Sequence, residues 1–252
     1  MANQYRSALF GLGKIAYAHM HGYLAPENSE RITVVAGADP NEEARQAFAQ
    51  RYNINNVYSD YTELLKQEKP DIVSICTWPP LHVEMVEKSA EAGVKGILCE
   101  KPMSVDLGEA DRMINAAKKA NAVLIIGHQR RLDSRYVCAC EMIKEGAIGN
   151  LVQVTAICGG DLLTDGTHSV DLIRFMNNDV PAVWVMGNVD LRDRGPVDGG
   201  AKSFGFQKWN ETRTRYGHPV ETGAFAVIHF ANGVRGMVEA GICSRPGYQK
   251  MW

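Results

Sequence analysis

The chain has 252 residues, of which 45% are hydrophobic and 22% charged, and its formal net charge is -2 at pH 7. This is the composition of a globular protein with room for two domains, since a domain usually holds about 100–150 residues. The weak net charge argues against a nucleic-acid partner, and no apolar run approaches the roughly 18–20 residues that span a membrane.

Short apolar runs alternate with amphipathic segments over about residues 1–128. The runs "RSALFGLG", "RITVVAGAD", "DIVSICT", "KGILCE" and "AVLIIGHQ" predict strands. The segments between them predict helices at 41–52, 61–68, 82–93 and 106–121. Asn41 precedes two glutamates and should cap its helix. Apolar strands that alternate with helices are typical of a parallel sheet covered on both faces, so we predict an α/β, doubly wound Rossmann domain.

The first predicted strand ends in "GLGKIA", the GxGxxA form of the dinucleotide-binding fingerprint. Gly11 permits the tight turn, Gly13 allows the backbone to approach a pyrophosphate, and Ala16 allows the helix to pack closely on its strand. Lys14 and Ile15 open the helix, whose N–H groups favour a phosphate. We therefore predict dinucleotide binding here. The alternative is a tight turn in a Rossmann-like sheet with an empty crevice.

The second predicted strand ends at Asp39, where an acid would accept hydrogen bonds from the ribose hydroxyls of a dinucleotide. A carboxylate would repel the 2′-phosphate of NADP, and Pro40 and Asn41 offer no cation. Arg45 lies further along the helix and is expected to point elsewhere. We therefore predict NAD as the cofactor rather than NADP.

The later strand ends also carry polar or aromatic groups. Thr77 and Trp78 are expected to line the nicotinamide side of a cleft, with His82 beside them in the next helix. The alternatives are that Trp78 is a packing aromatic and that His82 contacts no ligand. The following strand ends in "CEKP". Lys101 is either a solvated loop residue or a lysine at a catalytic cleft, and the convergence of strand ends favours the cleft. Glu100 should point away from Lys101, toward cofactor or backbone.

The second half, residues 129–252, has a different pattern. "LVQVTAICGG", "AVWVMGNVD", "TGAFAVIHF" and "GVRGMVEAGI" predict strands, with "ANG" as a hairpin turn between the last two. "GTHSVDLIRFMNN" has apolar residues at helical spacing. The glycine-rich, charged stretch 190–219 is where we expect substrate specificity to be determined.

Cysteine usage and the N-terminus bear on location. The six cysteines form no CxxC pair, and Cys76, Cys99 and Cys158 lie in apolar strand-like runs. Cys138 and Cys140 should point to different sides of a helix. The first residues enter a strand directly, without the features of a signal peptide. We therefore predict reduced, structural cysteines, no metal site and a cytoplasmic location.

Seven segments, in chain order, resemble the Gfo/Idh/MocA oxidoreductases: "GLGKIA", "GADP", "TWPPLH", "CEKP", "GHQRR", "EGAIGNLVQV" and "DGTHSVDLIRF". The resemblance implies a Rossmann domain over 1–128 and, over 129–252, a substrate-binding and oligomerisation α/β domain with a large, open, mainly antiparallel sheet. Family members usually extend further, so we expect a shortened form or a sheet covered by another subunit. An uncovered sheet favours association, which predicts a homo-oligomer through the C-terminal sheet.

The resemblance also implies NAD(P)-dependent oxidation of a hydroxyl on a sugar, an inositol or a related polyol. Lys101 would lie near C4 of the nicotinamide and remove the hydroxyl proton. His168 would accept or relay a proton, and Asp165, three positions before it, would bind a substrate hydroxyl. The alternative for His168 is a helix-start histidine bonded to backbone. Gln129, Arg130 and Arg131 could reach cofactor or substrate hydroxyls; the alternative is that the two adjacent arginines are solvated loop residues.

Two other functions stay open at this point. One is a glycosidase of the same family that uses NAD in a transient redox step, which would release sugar from an aryl glycoside without net NADH. The other is a non-catalytic sensor that binds a dinucleotide and a partner protein. A Lys101→Ala variant with undiminished biological activity would favour the sensor.

Overall fold

The computed structural model describes residues 4–191, 214–216 and 218–241. Contacts divide the chain into two compact units, Met1–Gly127 and His128–Trp252, and the predicted domain boundary at residue 128 is adjacent to this division. Most of the stretch 190–219 lies outside the described residues, as does Cys243. Every helix in the described ranges is too short or too polar to cross a bilayer.

The first unit is built on one parallel sheet of six strands in the order β3-β2-β1-β4-β5-β6, as the alternation of strands and helices predicts. The strands are β1 (Tyr5–Phe10), β2 (Ile32–Ala38), β3 (Val57–Tyr58), β4 (Ile72–Ile75), β5 (Gly96–Cys99) and β6 (Val123–Ile126). The helices are α1 (Lys14–Tyr23), α2 (Glu42–Tyr52), α3 (Tyr61–Glu68), α4 (His82–Glu91) and α5 (Leu107–Lys119).

Local chemistry explains where these helices begin. Asn41 accepts a hydrogen bond from the Ala44 N–H at 3.0 Å, so the predicted cap of α2 is confirmed. Asp60 and Asp106 cap α3 and α5 in the same way. Each cap satisfies an N–H group that has no partner inside its helix.

Both faces of the central strands are covered. Leu9 and Phe10 are adjacent on β1, point to opposite faces, and are both completely buried in separate apolar clusters. The edge strand β6 differs, because Val123 and Ile125 on one of its faces are exposed. The two-residue strand β3 was not predicted, since so short a segment carries no periodic pattern.

The second unit contains a four-stranded sheet in the order β7-β12-β11-β8. The β11–β12 and β11–β8 pairs are antiparallel, as predicted for the hairpin, whereas β7 pairs with β12 in parallel, so the described sheet is mixed. Its elements are α6 (Ser134–Lys144), β7 (Gln153–Cys158), α7 (Thr167–Met176), β8 (Ala182–Asp190), β11 (Gly223–Phe230) and β12 (Arg235–Gly241), with a separate pair β9 (Thr214–Arg215) and β10 (His218–Pro219).

The core of the second unit lies between α7 and one face of this sheet. Ile173 of α7 packs with Ile228 and Phe230 of β11 and with Val238 of β12. On the edge strand β8, in contrast, the side chains of Val183 to Met186 are between 47% and 65% exposed.

Met113 of α5 should contribute strongly to the stability of the first unit, because its side chain is completely buried. Met113→Ala leaves a cavity and should lower the free energy of unfolding by about 2–5 kcal/mol. Ile114→Ala, on the same helix and 38% exposed, is the matched control and should cost less than about 1 kcal/mol. Urea unfolding measures both, and equal losses would contradict the assigned burial.

Candidate active site

Four neighbouring strands of the first unit end at the same level. Phe10, the last residue of β1, is in register with Ala38, the last of β2, and with Ile75, the last of β4. Ile75 is in register with Cys99, the last of β5. The chain order reverses between β1 and β4, and parallel sheets bind ligands beyond the carboxyl ends of their strands at such a point.

The glycine loop follows β1 at this edge. Gly11 has a φ of +81°, and a Cβ atom there would lie 2.8 Å from the Cys76 carbonyl oxygen, so only glycine fits the turn. A Cβ on Gly13 would meet open space, which leaves the backbone accessible to a ligand. Ala16 is completely buried in the cluster that contains Leu9, as close helix–strand packing requires. Lys14 and Ile15 are exposed in the first turn of α1.

Asp39 holds the neighbouring backbone in place. Its carboxylate accepts hydrogen bonds from Leu12 N and Asn41 N, both at 2.8 Å, and therefore joins the glycine loop to the start of α2. The prediction that Arg45 points elsewhere was wrong. Its Nη1 donates to the carbonyl oxygens of Asp39 and Pro40 at 2.8 and 3.0 Å, because a side chain one turn into α2 can reach back over the helix start.

Thr77 and Trp78 follow β4 at the same edge. The Thr77 hydroxyl donates to Met85 Sδ at 3.3 Å, and its methyl group faces Gly11. Trp78 is 55% exposed.

His82 does not occupy the position that the sequence predicted for a cofactor contact. Its side chain is completely buried. Nδ1 lies 3.1 Å from the Pro102 carbonyl oxygen, and Nε2 lies 3.2 Å from the Thr77 carbonyl oxygen. Burial lowers the pKa of His82, although its backbone hydrogen bonds act in the opposite direction. His82 therefore ties together the loops after β4 and β5 instead of facing the edge of the sheet.

Lys101 follows β5 and is half-buried, so the reading of it as a fully solvated loop residue is not supported. Glu100 contacts backbone, as predicted, because its Oε2 accepts from Lys101 N at 3.2 Å. Its Oε1 lies 2.9 Å from His19 Nε2. Burial raises the pKa of the Glu100 carboxyl, but the hydrogen bonds from His19 and from the Lys101 backbone, together with the charge of Lys101, outweigh this and hold it below its usual value. Sequence reasoning missed His19, because nothing in its local pattern distinguishes it.

The second unit carries its own group of polar side chains around the start of α7. A single π-helical turn, Leu162–Gly166, precedes α7, and such turns are frequent at functional sites. Asp165 lies in this turn and accepts from Gly160 N at 3.2 Å. His168, the second residue of α7, is buried, and its ring meets that of His128 edge to face with centroids 5.7 Å apart.

The last three residues of the "HQRR" segment, 129–131, differ in their surroundings. Gln129 is exposed and Arg130 is half-buried. Arg131 Nε donates to both carboxylate oxygens of Asp171, at 2.9 and 2.8 Å, and its two terminal nitrogens donate to Asp179. Arg131 therefore joins this segment to the middle of α7 and to the loop that follows it, and is a structural residue.

An open cavity of about 310 Å³ lies beside these groups within the second unit. Its lining combines polar and apolar side chains: His128, Leu162, Leu163, Thr167, Val170, Asp171 and Arg174. Among the residues that the structure describes, no cluster of three or more His, Cys, Asp or Glu side chains has the arrangement of a metal site.

The described cysteines are free thiols. Cys138 is exposed and Cys140 buried, so their predicted opposite orientation is confirmed. Burial raises the pKa of the Cys76 and Cys99 thiols, which keeps both protonated and unreactive.

Comparison with known proteins identifies similar chains. Residues 5–128 match the GFO_IDH_MocA model, which describes an oxidoreductase family with an NAD-binding Rossmann fold. The chain is 29% identical over 215 residues to myo-inositol 2-dehydrogenase of Thermotoga maritima, a match that covers 77% of this chain and 62% of that protein. The chain therefore spans less than two thirds of the length of this relative.

Two solved structures share the fold. Myo-inositol 2-dehydrogenase from Lactobacillus plantarum superposes with a TM-score of 0.77 at 20% identity, over 95% of this chain and 70% of that one. The WlbA dehydrogenase from Bordetella pertussis, in complex with NADH and UDP-GlcNAcA, superposes with a TM-score of 0.76 at 22% identity, over 97% of this chain and 72% of that one.

The ion pairs of Arg131 should stabilise the second unit in a pH-dependent way. Arg131→Gln should lower the free energy of unfolding by about 1–3 kcal/mol at pH 7, less than for a fully buried pair because Asp179 is partly exposed. Hydrogen bonds from Arg131 lower the pKa of Asp179, so this stabilisation is present above pH about 4 and is lost at lower pH. The difference between wild type and variant in urea unfolding should therefore shrink at pH 3.

The matched control is Arg135→Gln, since Arg135 is 84% exposed and pairs with Asp133, two residues before it. It should leave the free energy of unfolding almost unchanged, because exposed ion pairs contribute little to stability. A loss for Arg131→Gln that stays constant down to pH 3 would show that packing, not the ion pairs, accounts for the effect.

Proposed function

Since residues 5–128 match the model of the Gfo/Idh/MocA oxidoreductases, we propose that the chain belongs to this family and transfers a hydride between a substrate hydroxyl carbon and a nicotinamide coenzyme. The observation that carries this proposal is the level ending of β1, β2, β4 and β5, which brings the glycine loop, Asp39 and Lys101 to one edge. The proposed substrates are sugars, inositols or related polyols. The name of the Thermotoga relative and the sugar nucleotide bound to the WlbA dehydrogenase support this class.

The edge of the first unit fits a dinucleotide. The first turn of α1 has no acidic residue, and Gly13 has no side chain to block approach to the N–H groups that would bind the pyrophosphate. Each carboxylate oxygen of Asp39 has a second lone pair, so a half-exposed Asp39 can accept from a ribose hydroxyl while it holds Leu12 N and Asn41 N. Thr77, Trp78, Glu100 and Gln129 stay proposed cofactor contacts.

The preference for NAD over NADP is part of the proposal. The Asp39 carboxylate would repel a 2′-phosphate, as expected for an enzyme that uses NAD. Arg45 places a positive charge nearby, but its Nη1 is already engaged by two backbone carbonyls. In the proposed binding mode the Asp39 carboxylate contacts the ribose, and Arg45 supports the loop.

The proposed chemistry moves one hydride and one proton. NAD⁺, when bound, accepts the hydride from the substrate carbon. The Lys101 amine takes the proton from the hydroxyl as its O–H bond breaks and a carbonyl forms, and half-burial of this side chain strengthens its interaction with the reacting oxygen. In the second unit, His168 is the proposed proton acceptor or relay, and Asp165 and Arg130 are the proposed ligands of substrate hydroxyls.

We also propose a cytoplasmic homo-oligomer. The free thiols of the described cysteines support a reducing compartment. The exposed apolar side chains of β8, at the edge of the second sheet, support association through that sheet, since exposed edges and apolar patches promote pairing with another chain.

Lys101→Ala should abolish most of the activity without loss of coenzyme binding. The alanine removes the proton acceptor, so kcat should fall by about 10²–10⁴-fold. Lys95→Ala is the matched control, because Lys95 lies at the opposite end of β5, where it pairs with Asp71 at 2.7 Å. A panel of sugars, inositols and aryl glycosides, assayed for NADH absorbance with NAD⁺ and NADP⁺ in parallel, identifies the substrate, and a fluorescence titration measures NADH affinity.

The same assay separates the other candidate functions. Sugar release from an aryl glycoside without net NADH would replace the dehydrogenase by an NAD-dependent glycosidase. NADH binding without turnover of any substrate would indicate a sensor.

Association through the second sheet predicts a dimer or larger oligomer in gel filtration with light scattering. Val185→Lys adds a charge to an exposed position of β8 and should weaken this association by desolvation and repulsion. Val123→Lys, on the exposed edge strand of the first unit, is the control. A wild-type chain that runs as a monomer would refute the proposed assembly.

A further inference from the structure

A chain of hydrogen bonds runs beneath the candidate site of the first unit. His19 of α1 lies between two partners: its Nε2 is 2.9 Å from Glu100 Oε1, and its Nδ1 is 3.0 Å from Ser74 Oγ. Ser74 Oγ is in turn 2.8 Å from the hydroxyl of Tyr23, one helical turn after His19. The side chains of His19 and Glu100 are only 9% and 13% exposed, so water competes little for these bonds.

The partners in this chain assign a donor and an acceptor to each hydrogen bond when the His19 ring is neutral. An ionised Glu100 requires a donor opposite it, which places a hydrogen on His19 Nε2. In a neutral ring Nδ1 is then an acceptor, which the Ser74 hydroxyl can satisfy, and the Tyr23 hydroxyl can donate to Ser74. Burial raises the pKa of Tyr23, which keeps its proton in place. The tautomer of His19 follows from these partners.

Glu100 is held on further sides. Its Oε2 accepts from the backbone N–H of Lys101 at 3.2 Å. A Cβ atom on Gly127 would lie 3.0 Å from Glu100 Oε1, so the glycine leaves the space that the carboxylate fills. A carboxylate fixed in this way restricts the backbone of Lys101, whose side chain would take the proton from the substrate hydroxyl.

The helix that carries His19 also begins at the glycine loop, because Gly13 caps α1 and His19 lies in its second turn. One rigid helix therefore contacts both the position proposed for the pyrophosphate and the acid beside the lysine. We propose that His19 is a positioning residue: through Glu100 it fixes the Lys101 backbone relative to the glycine loop. This inference rests on the proposed dehydrogenase function.

Two polar variants test the proposal. His19→Gln keeps an amide N–H near the position of Nε2, whereas the shorter side chain in His19→Asn places its amide near Nδ1 and does not reach Glu100. We expect His19→Asn to lower kcat by about 10–100-fold, as for a reacting group displaced by about 1 Å, with the NADH dissociation constant changed less than about threefold. His19→Gln should stay within about threefold of wild type in kcat.

His21→Leu is the matched control, because His21 is exposed on the same helix, and it should leave kcat unchanged. A second readout does not depend on turnover: amide exchange in a peptide covering residues 98–104 should be faster in His19→Asn than in His19→Gln, because the Lys101 N–H loses its fixed acceptor. Mass spectrometry measures this exchange.

The outcomes are distinguishable. Equal kcat and equal exchange in the two variants would overturn the positioning role. A wild-type protein that reduces no coenzyme would overturn the proposed function, and the exchange rates would still decide whether His19 fixes the Lys101 backbone.

Discussion

Parallel pairing at the centre of the first sheet is the constraint on which the candidate site depends. Because β1 is in register with β2 on one side and β4 on the other, and β4 with β5, four chain segments leave the sheet at the same level. Each segment then turns in a short loop before its next element. Residues that are far apart in sequence, such as Gly11 and Lys101, thereby follow strands that end at the same edge of the sheet.

The two acids at this edge, Asp39 and Glu100, hold the backbone of neighbouring loops. Asp39 accepts from two N–H groups of neighbouring loops, and Glu100 accepts from the N–H of Lys101. A negative charge at each position is therefore balanced by several donors instead of by a single cation. This arrangement keeps the loops rigid, and preorganised donors and acceptors lower the cost of reorganisation when a charged ligand binds.

The sequence predicted what local pattern determines. The spans of α3 and β8 agree with "YTELLKQE" and "AVWVMGNVD", and the Asn41 cap follows from one residue and its acidic successors. The tight turn after β1 was predicted because Gly11 and Ala16 belong to one short sequence motif that joins this strand to the following helix. Interactions between distant residues were missed.

His19, His82 and Arg45 illustrate the limit of predicting side-chain contacts from the sequence. The partners of His19 are 55 and 81 residues away, and those of His82 include a carbonyl 20 residues away. No spacing rule gives the direction of such a side chain until the strands are aligned. The predicted cofactor role of His82 was wrong for this reason, since burial between two loops satisfies its ring. Arg45 was missed because a long side chain can reach back along its own helix.

The π-helical turn before α7 has a consequence for how this region tolerates length changes. Such a turn holds one residue more than an α-helical turn, and each residue of an α-helix advances the chain by about 100°. Deletion of one residue from Leu162–Gly166 would therefore restore regular winding and rotate Asp165 away from Gly160, while α7 and His168 kept their packing on the sheet. A change of length in this segment would thus move the acid relative to the histidine and would also shift Leu162, which packs on the core of the second unit.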